Sequence, residues 1–255
     1  MKALLIFIIC LLTGNTLFAQ HARFITSGSI QFEKTVNIYA ISKKEFNSAD
    51  DQFSQQFLEQ YKNTHSQFVK LNSTLKFGDG KTLFTPIVPE TIEEVLFNNP
   101  MGMQPNTVYT DLAASTSVIQ KNVYNELLLV KDSTRKINWK ITDETRDIAG
   151  YTCRRANAIV MDSVYVVAFY TDKIRVAGGP ETYTGLPGMI LGVAIPHENV
   201  SWFATKVTDE SIPATAIVPP KKGKPMNNKQ MFNELKKAMK DWGASGLYEL
   251  KVFML

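Results

Sequence analysis

From Ser29 to Ile41 polar and apolar positions alternate. Ile30, Phe32, Val36 and Ile38 fall on one face, and Gln31, Glu33, Thr35 and Asn37 on the other. A period of two predicts a long half-buried strand. The period then changes. Ser48 stands where a helix cap belongs, and Asp50 and Asp51 suit the positive end of a helix dipole. Phe53, Phe57, Tyr61 and Phe68, with Leu58 beside them, share one helical face and predict a helix over 49–69 packed on a sheet. Alternation returns from Asn72 to Phe77 and closes on a Gly78-Asp79-Gly80 turn. Residues 85–106 carry Pro86, Pro89, Pro100 and Pro105 and predict irregular chain, apart from a helical turn near Ile92–Phe97.

Beyond Thr107 strand follows strand: 107–112, 116–123, 126–131, 137–142, 148–160, 163–171, 188–195 and 200–208. Short polar links such as Lys131-Asp132-Ser133 and Met161-Asp162-Ser163 make successive strands antiparallel neighbours. In 163–171 both faces are apolar, which places that strand centrally. Pro213, Pro219, Pro220 and Pro225, mixed with Lys221, Lys222 and Lys224, mark an exposed connector. Asn228 then caps a helix with Met231, Phe232, Leu235, Met239 and Trp242 on one side, and Gly243 stands at its stop. Lys229, Lys236, Lys237 and Lys240 give it a solvated face. Leu247–Leu255 reads as a last strand. The pattern predicts one α+β domain: a large curved antiparallel sheet, half-barrel-like, with two main helices packed on it. So many strands must curl, which creates a concave apolar face.

The N-terminus adds a destination. Lys2 precedes an unbroken apolar run, Ala3 to Leu12, and a small residue, Ala19, closes the segment. These are the three parts of a cleavable signal peptide, residues 1–19, with the domain occupying 20–255. The run is too short to span a bilayer. The expectation is an exported protein, periplasmic, outer-membrane-associated or secreted, with no membrane span after cleavage. The formal charge of the whole chain is +4, too mild for a nucleic-acid surface. Cleavage would also remove Cys10 and leave Cys153 alone, so no internal disulfide is expected.

One stretch departs from ordinary turn composition: Gly178-Gly179-Pro180-Glu181-Thr182-Tyr183-Thr184-Gly185-Leu186-Pro187-Gly188-Met189-Ile190-Leu191. Leu186-Pro187-Gly188-Met189 suits a type II turn, with proline fixing φ at the second position and glycine free at the third. Here the chain resembles the GLPGLI family, exported proteins known mainly from bacteria of the Bacteroidetes group. Gly185 to Ile190 matches the naming hexamer, with Met189 in place of a leucine. Trp139-Lys140-Ile141, Ile148 to Ala156, Ala168-Phe169-Tyr170-Thr171 and Gly179-Pro180 fit the family's order and spacing. The resemblance implies no reaction and no catalytic residue. It makes Gly179, Pro180, Gly185, Leu186, Pro187, Gly188 and Met189 the candidate binding or contact residues, beside their reading as a turn that defines the fold.

Familiar chemistry is sparse. His65 has no second histidine at helical spacing, His197 sits in a Pro-His-Glu-Asn turn, and His21 follows a glutamine that cyclises readily. Met101-Gly102-Met103 offers thioethers, and Glu93-Glu94 and Asp143-Glu144 offer carboxylates, without the spacing of a site. No phosphate loop, nucleophile elbow or zinc helix is written in the chain. No metal or cofactor is expected. The leading expectation is a non-catalytic binding or carrier protein for a hydrophobic ligand or peptide. The alternatives are a module docking on an envelope membrane protein or transporter, and an unfamiliar enzyme using Cys153.

Overall fold

The computed structural model describes residues 24–46, 52–90 and 99–255. The signal segment 1–19, the Ser48 cap and the turn near Ile92–Phe97 lie outside them. Twelve strands form one sheet. β1 is Gly28–Asn37, β2 Phe68–Gly78, β3 Lys81–Ile87, β4 Thr107–Asp111, β5 Thr116–Val123 and β6 Glu126–Ser133. β7 is Lys140–Ile148, β8 Tyr151–Val160, β9 Val164–Thr171, β10 Met189–Ile195, β11 Val200–Asp209 and β12 Lys224–Met226. The order across the sheet is β12-β6-β5-β4-β3-β2-β1-β11-β10-β9-β8-β7. Two antiparallel meanders, β2–β6 and β7–β11, are thus joined by the first strand, and only β12 runs parallel to its neighbour.

The architecture is the expected α+β one, and the sheet is open and curled. In a flat sheet β7 and β11 would lie about 19 Å apart, four strand spacings. Yet the Arg146 guanidinium on β7 sits 4.6 Å from the ring centre of Phe203 on β11. Four helices accompany the sheet: α1 Ile38–Phe46, α2 Gln52–Thr64, α3 Asn228–Ala238 and α4 Gly243–Met254. None of the described helices is long and apolar enough to cross a membrane.

Several boundaries differ from the sequence reading, each for a local reason. The first strand stops at Asn37, whose side chain accepts a hydrogen bond from the Ala40 N–H (3.1 Å) and so starts α1. The second helix ends at Thr64, because Phe68 onward pairs with β1 in register Asn37↔Phe68. β3, unread in the sequence, runs from Lys81 into the start of the proline-rich stretch and ends at Ile87. Pro86 is tolerated there because β3 pairs with β4 only as far as Phe84. Ala149 and Gly150, both at positive φ, form the β7–β8 hairpin turn inside what reads as a single strand.

The cap of α3 is Asn227 rather than Asn228. Its side chain takes the Gln230 N–H, while Gln230 accepts in return from the Asn227 N–H. Asn227→Ala is therefore expected to cost about 1 kcal/mol in urea denaturation. The helix stops earlier than Gly243, at Ala238 with Met239 as its C-cap, and Gly243 (φ +60) instead opens the next element. The chain then enters α4, not a strand. Gly246, Leu250 and Phe253 are among its buried residues, at spacings of four and three, a helical period that apolar density conceals in the sequence.

Candidate functional site

On β1 the residues facing the core are Ile30, Phe32, Lys34 and Val36. On β5 they include Ile119, Lys121 and Val123. Each strand therefore points one lysine into an apolar interior, where an unpaired charge is costly. Both ammonium groups meet carbonyl oxygens. Lys34 Nζ donates to Met101 O (2.7 Å) and Gly102 O (2.9 Å) and lies over the Trp202 ring. Lys121 Nζ donates to Phe253 O (2.5 Å). Arg135 donates to Met254 O, and the Thr182 hydroxyl to Leu255 O (3.0 Å). The negative end of the α4 dipole is thus held by two cations, Lys121 and Arg135. Burial pushes both lysines down to about 8, with the Glu181 carboxylate opposing. Burial likewise lowers Arg135.

Glu181 stands between these cations. It lies in the segment between β9 and β10, at positive φ (52°), a conformation uncommon for a residue with a side chain. The segment is pinned to its surroundings by Met189 N–H to Ile174 O (3.1 Å), Ile190 N–H to Gly178 O (2.8 Å) and Gly185 N–H to Ala177 O (3.4 Å). Asn106 Nδ2 donates to Glu181 Oε2 (3.2 Å). Burial pushes the Glu181 carboxyl up to about 7, against the pull of Lys34, the Asn106 hydrogen bond and Lys121. Tyr183, two residues on, is raised by burial as well.

Two cavities of about 30 Å³ each meet at Lys34, Gln104, Glu181 and Trp202. The first opens outward between apolar walls made by Leu71, Phe84, Ile87, Val88 and Met103. The second runs inward to Asn106, Tyr183 and Leu255. Three buried atoms lining them have no hydrogen-bond partner among the described residues: Ser73 Oγ, Gln104 Nε2 and Asn106 Oδ1. Buried polar atoms are nearly always paired, so such a cluster in one cleft marks a place for something else. A wider depression of about 370 Å³ beside Lys136 and Met161 holds none of these atoms.

Because folding favours the protonated Glu181, its contribution to stability is full below pH 4.5, falls as pH rises, and is level above about pH 7. Glu181→Gln is expected to gain about 3 kcal/mol on the wild type across that window. Parallel denaturation series at pH 4.5 and 7.5 check this. An unchanged difference between the two proteins would contradict it.

The sequence-derived residues fall in two groups. Gly179 and Pro180 are buried and immediately precede Glu181. A Cβ on Gly179 would come within 2.7 Å of Tyr183 O and 2.8 Å of Ile190 Cβ. Leu186 and Met189 are core residues, 1% and 0% exposed, while Gly185 and Pro187 reach the surface. The expected type II turn is replaced by a tighter one. The Gly188 N–H bonds to Leu186 O (2.8 Å), and Gly188 takes φ +147 so that Met189 can bond to Ile174 O instead. The Trp139 indole donates to Thr184 O (2.9 Å) beside Gly185. These residues fix the segment that carries Glu181, and the side chains of Pro180, Leu186 and Met189 are buried in the core.

Cys153 is fully buried. Its thiol donates to Tyr151 O (3.4 Å), and burial with the Asp147 charge pushes it up to about 12. At neutral pH it is a protonated thiol, without the thiolate that nucleophilic chemistry needs. His65 stacks on Tyr61 (4.0 Å), and His197 is exposed. No three His, Cys, Asp or Glu side chains converge as a metal requires among the described residues.

Residues 158–192, from the end of β8 through the Glu181 segment into β10, match the family model described as Protein of unknown function (Porph_ging). Two structures of PNGF-II, in C2 and P21 crystal forms, resemble the chain with TM-score 0.50 and 15% identity. They cover 80% and 82% of it, and the chain spans 31% and 33% of their length, about a third. At that identity the likeness is one of fold. An uncharacterized conserved protein from Thermus thermophilus aligns at TM-score 0.38 and 6% identity, over 79% of this chain and 90% of its own. None of the curated proteins compared with the chain matches it.

Proposed function

We propose that this chain is an exported binding protein of the GLPGLI kind, with residues 20–255 as its working domain. In this reading the Glu181 cleft grips a ligand that has an apolar body and a polar end group. One observation carries the proposal: three unpartnered buried polar atoms line a single apolar-walled cleft floored by Glu181 and Lys34. Ligand sites have this composition, mostly apolar with a few convergent polar groups and displaced pKa values. Each cavity has room for about two waters, the size of an end group rather than of a whole lipid. The ligand's body would lie along Ile87 and Val88, 57% and 55% exposed at the cleft mouth.

Export is supported by Lys2, the apolar run and Ala19. The GLPGLI assignment is supported by Gly185 to Ile190 and the ordered matches before it. Native mass spectrometry of the mature protein, purified gently from its own envelope, tests the reading. The expected result is an added mass lost on denaturation and absent from a Gln104→Leu/Asn106→Leu variant. A bare mass, or an adduct the variant keeps, contradicts it.

A docking role has one observation in its favour, away from the motif. Tyr124 and Trp242 pack edge to face at 5.5 Å while 54% and 46% exposed, and Leu247 on α4 is 69% exposed. Crosslinking in intact cells from a photoreactive residue at position 247 tests that surface. A partner captured there, and lost on Trp242→Ser, would favour docking over ligand binding.

A further inference from the structure

The partners already taken inside the cleft narrow what could fill it. Asn106 is buried, 6% exposed, and its Nδ2 donates to both Gln104 Oε1 (3.2 Å) and Glu181 Oε2 (3.2 Å). Both of its protons are thereby used, which leaves Oδ1 as a bare acceptor. Gln104 has spent Oε1 on Asn106 and retains Nε2 as a bare donor. Turning the Gln104 amide alone would set its NH2 against the Asn106 NH2, and turning both amides leaves the same count of unpaired groups. One unpaired donor and one unpaired acceptor therefore belong to residues that line the same inner cavity. Ser73 Oγ, which serves as either, completes the set.

A carboxylate or phosphate offers only acceptors. It would satisfy Gln104 but confront Asn106 Oδ1 and the Glu181 carboxylate. An ammonium offers only donors and would leave Gln104 unpaired beside the Lys34 charge. A hydroxyl can donate to Asn106 Oδ1 and accept from Gln104 Nε2 at once, but only where a single oxygen reaches both, whereas an amide meets them from two separate atoms. The group that presents a fixed N–H and a fixed C=O, and no charge, is an amide. Lys34 and Glu181 stand together on the cleft floor and offset each other, so the floor favours a neutral occupant. The walls at Leu71, Phe84, Ile87, Val88 and Met103 suit an apolar side chain next to that amide.

We propose that Gln104, Asn106 and Ser73 recognise the backbone amide of an apolar peptide segment, seated where the two cavities meet. This rests on the cleft being a ligand site and goes beyond it by naming the group bound. Such an amide would make at these atoms the hydrogen bonds that water would otherwise supply.

An isosteric pair of small probes isolates the point. N-methylisobutyramide and methyl isobutyrate have the same shape and carbonyl, but the ester replaces the N–H by oxygen. Binding of each is followed by saturation-transfer NMR on the mature protein, with Asn106→Leu as the variant. The expected result is about tenfold weaker binding of the ester, because Asn106 Oδ1 is left unpaired. In the variant that preference should vanish while the wall contacts still hold both probes. Equal binding of amide and ester to the wild type overturns the amide assignment and leaves the cleft as a ligand site. Binding of neither probe overturns both. If Asn106→Leu does not fold, the wild-type comparison alone decides.

Discussion

Gly188→Ala is expected to remove about 4 kcal/mol or more of stability, most of the margin of an ordinary domain. A Cβ at this position would lie 2.8 Å from the Thr171 carbonyl carbon, 3.0 Å from Asp172 Cα, and closer still to Thr171 O. None of these atoms is free to retreat. Thr171 is paired with Met189 in the β9–β10 ladder, next to Gly188 itself. The φ of +147 adds a second penalty, since side-chain-bearing residues avoid it. Gly80→Ala is the control. Gly80 also has positive φ (+69), but a Cβ there meets open space. It should lose only about 1 kcal/mol, the conformational cost alone. Urea midpoints of the two variants separate steric from conformational cost. Similar losses would show that the Gly188 approach to β9 is not what holds this loop.

Trp202→Ala should cost about 3–5 kcal/mol, the range for a large buried aromatic side chain. Trp202 is 5% exposed on β11, lines both cavities, and offers its ring to the Lys34 ammonium at 4.9 Å. Its removal opens the cleft wall and strips a cation–π contact from a buried lysine, a contact of about 1–2 kcal/mol when desolvated. Trp202→Phe should retain most of the stability while shrinking the wall. Thermal and urea unfolding measure the first effect. If alanine and phenylalanine variants are equally stable, the wall is not packed as described.

The sheet was written in the sequence because alternation survives in nearly every strand, and short polar links leave antiparallel pairing as the consequence. β4, β5, β9, β10 and β11 lie within a residue or two of their predicted spans. The errors share a cause. Where a side chain intervenes in the backbone's hydrogen bonding, periodicity alone misplaces the boundary. Asn37 ends β1 by capping α1, and Asn227 with Gln230 sets the start of α3. α4 misleads for the opposite reason. It is apolar enough on several sides that density hides its spacing of four and three.

The candidate site was less legible, although one signal was present. Lys34 occupies the apolar phase of β1 and Lys121 that of β5, so each breaks its strand's alternation inward. A lysine at such a position has to find oxygen atoms in the interior. These come from Met101, Gly102 and the end of α4, segments remote in sequence. Glu181 lies inside the glycine-rich stretch but carries no periodic signature, and its isolation among buried cations emerges only from the fold. Gln104 and Asn106 lie in or beside the proline-rich region, which carries no pattern to read. The conspicuous glycines and prolines turned out to position the segment, while the polar atoms facing the cleft were the inconspicuous ones.

The most direct measurement is a titration of 15N-labelled mature protein with N-methylisobutyramide and with methyl isobutyrate. Its readouts are the indole N–H signals of Trp202, in the cleft, and Trp242, exposed at the α3–α4 corner. The Trp202 signal and the Gln104 side-chain amide should move with at least one probe, while Trp242 stays still. Movement of Trp242 alone, or no movement at either indole with either probe, would contradict the claim that the Glu181 cleft binds ligands.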